Sequence, residues 1–240
     1  MPETRIQLCG RLIARVEGRR VEHQLPGRQG RLAFAYLVAS RQRPVTREEL
    51  VDALWLEPPA GDALSPLLSR LRRVLPLDGR GEVRLALSAD AWVDLEAAGG
   101  ALHRAQAAVA RGDWTGAWGP ARVAQHVASR GFLPGESLQW IEERRRQLED
   151  LHVSALELVA HACVEIGGGE LDTAERSART LIQRSPYHEG GHRLLMEALA
   201  ARGNTAQALL VYDELRRRLR EELGTAPSPQ TQELHRRLLG

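Results

Sequence analysis

The chain has 240 residues, 43% of them hydrophobic, enough for two ordinary cores, while aromatics make up only 4% and leave Leu, Ala and Val to fill them. Net charge is +2, there is no lysine, and every basic contact therefore comes from arginine, which grips phosphate in a bidentate way. Cys9 and Cys163 lie far apart without a CxxC pair, so neither a disulfide framework nor a zinc knuckle is expected. No apolar run approaches the roughly 18 residues of a membrane span, and the N-terminus does not read as a signal peptide. A soluble, cytoplasmic protein without membrane contact is expected.

Residues 1–47 hold ten arginines against Glu3, Glu17 and Glu22, a local charge of +7. Within them, residues 5–25 alternate in short bursts broken by Gly10 and Gly18, which predicts a small antiparallel sheet. Pro26 and Gly27 end it. Residues 28–40 have the density of a buried helix, with Leu32, Ala35, Tyr36 and Ala39 inward.

Residues 46–75 predict two short helices joined by a Pro/Gly-rich turn. Thr46 caps the first, with Glu49 completing a capping box. In the second, Leu64, Leu68, Leu71 and Leu75 form one stripe, whose opposite face carries Asp62, Pro66, Ser69, Arg70 and Arg73, with Ser65 and Arg72 on the flank. A helix that buries leucines and shows serines and arginines suits the DNA major groove. The alternative is an ordinary solvated face. Glu82–Leu87 alternates at period two and Trp92-Val93 follows a short turn, which predicts a hairpin. Sheet, helix, helix pair and hairpin is the order of a winged helix with a leading sheet, whose wing lets Arg80 or Arg84 reach a backbone or minor groove. Arg28, Arg31 and Arg47, near the starts of the two preceding helices, are the expected phosphate contacts.

From Val93 on the pattern is helical and repeats. Gly169, Ala174, Ala178 and Leu181 recur at an offset of 34 as Gly203, Ala208, Tyr212 and Leu215, and Gly112, Ala117, Ala121 and Ala124 show the same internal spacing one unit earlier, with a longer insertion before the next. This fits tetratricopeptide-type helix pairs, which make surfaces for proteins or peptides and seldom catalyse. His161 and Glu165 depart from it, standing where apolar residues belong. The fold expectation is therefore mainly α, with an N-terminal winged helix and small antiparallel sheet over residues 1–95 and a tetratricopeptide-like repeat domain over residues 96–240.

His188-Glu189-Gly190-Gly191-His192 matches the zinc-protease pattern HExxH, in which two histidines share a helix face. Adjacent glycines weaken such a helix, and no third ligand stands out, so no metal, cofactor or catalytic residue is expected. Trp114, Trp118 and Trp140 read as packing between helices rather than a ligand groove. Arg144–Arg146 and Arg216–Arg218 each stand beside acids and read as salt-bridged faces.

An ordered set of residues carries a family likeness. Phe132-Leu133-Pro134-Gly135, Trp140 with Arg144, Pro186-Tyr187-His188-Glu189, Leu194-Leu195-Met196, Ala208-Leu209 with Tyr212, Glu222-Leu223-Gly224 and Pro227-Ser228-Pro229 together resemble the bacterial transcriptional activator domain of actinobacterial regulators. LVDALW (50–55) and SRLRRVL (69–75) resemble pieces of the winged helix that precedes it in the antibiotic-regulatory activator family. The resemblance implies a transcriptional regulator, often dimeric on direct repeats, with double-stranded DNA and RNA polymerase as partners. Asp62 and Pro66 depart from the family's more basic recognition helix and count against base readout. A rival expectation is an adaptor that keeps the fold without binding DNA.

Overall fold

The computed structural model describes residues 3–240 and divides into two compact units, Met1–Ala98 with Val127–Leu148, and Gly99–His126 with Glu149–Gly240. The sequence expectation of a single cut at residue 95 has no counterpart for the inserted segment 127–148.

In the first unit, strands β1 (Arg5–Gln7), β2 (Ile13–Val16) and β3 (Arg19–Arg20) meander antiparallel. Helix α1 (Gly27–Ala39) buries Leu32, Ala33, Phe34, Ala35, Leu37 and Val38. Tyr36 and Ala39, expected inward, are only half-buried, and Tyr36 instead donates its hydroxyl to Glu49. Strand β4 (Val45–Thr46) leads into α2 (Arg47–Leu54), where Thr46 Oγ1 accepts the Glu49 amide at 3.1 Å as the capping pattern predicts.

Helix α3 (Leu64–Leu71) is shorter than its apolar stripe, since the chain leaves the helix after Leu71 and Leu75 is buried from the turn that follows. Strands β5 (Leu77–Asp78) and β6 (Glu82–Leu85) form the wing hairpin around Gly79, whose φ of +81° and closeness to the Glu82 carbonyl exclude any side chain there. The hairpin expected from residues 82–87 and 92–93 is corrected here. β6 pairs with β5 and β4, whereas β7 (Trp92–Val93) leaves to join β1 in parallel, so the leading sheet has the order β3-β2-β1-β7. Parallel pairing makes the leading sheet mixed rather than wholly antiparallel. The long return from β1 to β7 encloses the helices between them, a connection that alternation within each short strand does not reveal.

Segment 127–148 belongs to this unit through many bonds. Phe132 bridges Cys9, and Gly10 donates its amide to the Gly131 carbonyl at 2.7 Å. Arg145 donates to the carbonyls of Phe132, Leu133 and Glu136, and Trp140 Nε1 donates to the Ala53 carbonyl at 2.8 Å. Trp140 also meets Tyr36 and Phe132 edge-on, at 5.0 and 5.7 Å between ring centres. Asp94, fully buried, accepts the amides of Leu8, Cys9 and Leu95, with the Arg130 guanidinium 3.6 Å away. Burial pushes the Asp94 carboxyl above its ordinary range, and the amides and Arg130 pull the other way.

The second unit draws on helices α4 (Asp94–Val109), α5 (Trp114–Ala128), α6 (Gln139–Ile166), α7 (Leu171–Arg184), α8 (Glu189–Ala201), α9 (Thr205–Leu223) and α10 (Pro229–Leu239). The residues that carry the 34-residue period are its closest-packed positions: Ala117, Ala121, Ala124, Ala174, Ala178, Leu181, Ala208 and Leu215 are all 0% exposed. Small side chains at these places let neighbouring helices approach, as in Ala105, Ala121, Val159, Cys163, Ala174 and Ala198. Gly112 and Gly203 turn the chain at φ +71° and +81°. His161 and Glu165, which break the apolar pattern, lie half-exposed 3.8 Å apart, and Trp114 meets the His161 ring at a tilt of 44°, with 4.5 Å between ring centres. Among the described residues no helix is long and apolar enough to cross a membrane.

Candidate nucleic-acid interface

The helix pair positions the candidate surface. Leu64, Leu67, Leu68 and Leu71 are at most 3% exposed, so α3 is seated by one continuous leucine face. Burial on that scale stabilises by about 1.5–3 kcal/mol per leucine before entropy is counted. Pro66 stands third in the helix, inside the first turn, where a missing N–H removes no helical bond. Seating the leucines turns Ser69 and Arg70 to solvent, and Arg73, expected on the same helix face, is exposed instead in the turn just past Leu71; neither arginine side chain has a hydrogen-bond or ion-pair partner among the described residues.

Asp62 does not extend the outward face of α3. It precedes the helix, and its Oδ1 accepts the Ser65 amide at 2.9 Å, a capping role. Arg47, first residue of α2, donates to Ser65 Oγ at 2.6 Å and lies 3.5 Å from Asp62 Oδ1. Hydrogen bonds from Ser65, with the Arg47 charge behind them, hold the Asp62 carboxyl below the usual carboxylate range. The same device fixes the approach to α2. Hydrogen bonding from Arg43, against a burial cost, and then from Tyr36 hold Glu49 down to about 2.

The remaining candidates separate into two groups. At the wing, Arg72 donates to the Gly79 carbonyl and so braces the hairpin turn, while Arg84 is exposed on β6 opposite Asp78. Arg28 and Arg31 are placed instead by the 133–136 loop. Arg28 Nε is 2.7 Å from Glu136, and Arg31 is exposed beside Gly10, Leu12, Leu133 and Pro134, in a cleft of about 250 Å³. Thus Arg47, Ser65, Ser69 and Arg70 share the helix pair, Arg73 the turn that follows it, Arg72 and Arg84 the wing, and Arg28 and Arg31 none of these.

Sequence reasoning missed the Asp62 cap, although an Asp three residues before Ser65 at the mouth of an apolar stripe is a recognisable start signal. It also missed the roles of Asp94, Arg130 and Arg145, for which no local pattern exists because their partners lie far along the chain.

The HExxH residues have separate structural duties. His188 caps α8 by accepting the Gly191 amide at 3.1 Å on Nδ1, and buried His192 meets the Pro186 carbonyl at 3.0 Å. Glu189 accepts from the Ser228 amide and hydroxyl and from Thr231 Oγ1 at 2.6 Å, which fixes the start of α10. The three side chains converge on no common point through these bonds.

The family model described as the bacterial transcriptional activator domain matches residues 93–239. The chain is similar to the regulatory protein AfsR of Streptomyces griseus, 31% identical over 227 residues, and to AfsR of Streptomyces coelicolor, 32% identical over 218 residues. Each match takes in 88% of this chain, which spans about a fifth, 22%, of the length of those relatives. A solved structure of Mycobacterium tuberculosis EmbR in complex with a low-affinity phosphopeptide shares the fold at a TM-score of 0.82 and 24% identity, over 99% of this chain and 64% of that one. The matched family and both AfsR relatives are regulatory by description, and none is described as an enzyme. With more than half its length matched, the chain belongs to the bacterial transcriptional activator domain family.

Proposed function

We propose that the chain is a DNA-binding regulator of transcription, an activator, working in the cytoplasm. In this reading α3 lies in the major groove, with Ser69, Arg70 and Arg73 facing base edges. Ser65, Arg72 and Arg84 flank that contact, and Arg28, Arg31 and Arg47 hold phosphates. The helical repeat unit provides the surface for dimerisation or for RNA polymerase. One observation carries the proposal: the side chains of Arg70, on a helix whose opposite face is buried, and of Arg73, in the turn that follows it, stand exposed and without a partner among the described residues. Membership of an activator-domain family, AfsR relatives that are regulatory, and the fold likeness to EmbR support it.

Selection of duplexes from a random pool, followed by mobility shifts over a salt series, tests the proposal. Enrichment of a motif is expected, with log affinity falling against log salt by about 0.9 per phosphate contact. A second reading, an adaptor that binds only proteins, draws on the acids that occupy Arg28, Arg43 and Arg47. Absence of binding at low salt on every selected sequence would favour it.

A further inference from the structure

We propose that Asp62 is a built-in phosphate surrogate, which occupies Arg47 in the free protein and must be exchanged for a DNA phosphate when α3 docks. The proposal rests on the DNA-binding reading above and adds a residue that sets its threshold.

Two donors stand at this one carboxylate, and a hydroxyl holds one of them in place. The Ser65 amide donates to Asp62 Oδ1 at 2.9 Å, the Arg47 guanidinium stands 3.5 Å from the same oxygen, and Arg47 is braced by Ser65 Oγ at 2.6 Å. An amide, a hydroxyl and a guanidinium are the groups that hold a phosphate oxygen on DNA. The carboxylate is nonetheless 62% exposed, whereas the Arg47 side chain is only 35% exposed. Acid and base therefore differ in what holds them. Asp62 is carried by a loop whose residues Leu56, Glu57, Pro58, Ala60 and Gly61 are all exposed, and its departure breaks no buried contact. Arg47 begins α2 and stays in place. An incoming phosphate can displace the carboxylate and inherit its donors.

The surrogate has a consequence for selectivity. Contact with any backbone first costs the Arg47–Asp62 pair, so phosphate attraction alone gains less, and base contacts by Arg70 and Arg73 count for a larger share of binding. An unpaired Arg47 would favour every duplex alike.

Asp62→Asn tests this, because asparagine keeps the capping oxygen and removes the charge. At about 0.1 M salt the variant should bind both a selected and a scrambled duplex about five- to tenfold more tightly, with a log–log salt slope steeper by about one contact. The selected-to-scrambled ratio should not rise. Adding Arg47→Ala should abolish the gain, while Arg47→Ala alone should weaken the native chain by a smaller factor. Asp62→Ser, a second neutral cap former, should repeat the result if the asparagine variant folds poorly. Unchanged affinity and slope in a folded Asp62→Asn chain would overturn the surrogate and leave DNA binding standing. A gain that survives Arg47→Ala would also overturn it, since Asp62 would then act by general repulsion. No duplex bound by either chain would overturn both readings.

Discussion

Helices α3 and α7 are built alike and end differently. Both bury a stripe at helical spacing, Leu64, Leu67, Leu68 and Leu71 in one, Leu171, Ala174, Ala178 and Leu181 in the other; α7 carries three arginines outside its stripe, and α3 carries Arg70. On α7 each arginine has a partner: Arg176 meets Thr173, Arg179 meets Glu175 at 2.9 Å, and Arg184 meets Glu149 at 2.7 Å. On α3 there is no acid within the helix, and the Arg70 side chain has no partner among the described residues. An apolar stripe therefore says only that a helix is seated. The acids around its outward arginines decide whether that face is satisfied within the chain or left for another molecule. Exposed ion pairs contribute little to stability, about 0–1 kcal/mol each, so the difference concerns binding more than folding.

The strongest way to break the comparison is to unseat α3. Leu71→Ala removes a fully buried side chain and should cost about 2–5 kcal/mol, read as a lower denaturation midpoint. DNA affinity should fall with it. A loss below about 1 kcal/mol would show that the stripe does not hold the helix. The matching change on α7 is Ala178→Leu at a position that is 0% exposed, where overpacking should cost about 1–3 kcal/mol without touching duplex affinity.

Converting one helix into the other sharpens the point. Pro66→Glu places an acid four residues before Arg70, as Glu175 stands before Arg179. Affinity for duplex DNA should drop about tenfold at 0.1 M salt as one arginine is neutralised, while stability changes little. Retained affinity would mean that Arg70 makes no contact.

The sequence made the fold legible where periodicity is local. The leucines of α3, the Thr46 cap and the alanines at the 34-residue period all occupy the buried or capping places their spacing assigned. It failed where the partner is distant. Nothing in Trp92-Val93 says that it will pair with Arg5-Ile6 rather than with the adjacent strand, and nothing near Arg145 marks the three carbonyls it serves. Phe132, Leu133, Pro134, Gly135 and Trp140 were visible only as part of a family likeness. The indole bond to the Ala53 carbonyl gives a physical reason for Trp140, while Phe132 and Leu133 meet Cys9 and Leu8 through their backbones. The candidate site was legible in part. Ser69 and Arg70 follow from the helical period, whereas Arg73 falls in the turn past Leu71, the partner of Arg28 depends on the course of the 133–136 loop, and Asp62 caps the helix instead of extending its outward face.

A smaller effect separates the charged groups by pH. Glu49 is held down to about 2 from an ordinary 4.5, so its bonds to Arg43 and Tyr36 stabilise fully above that ordinary value. That contribution should fade as pH falls from 4.5 towards 2, and Glu49→Gln should flatten this part of the stability profile. An unchanged acid profile in the variant would mean that another carboxylate governs it.

If Arg70 on α3 and Arg73 in the turn after it read sequence, one measurement shows it directly. The affinities of native, Arg70→Ala and Arg73→Ala chains are compared on the selected duplex and on a scrambled one over a salt series. Each substitution should cost about 1–3 kcal/mol on the selected site and much less on the scrambled one, flattening the preference. Equal losses on both duplexes would contradict the account and show a helix that presses on the backbone without reading bases.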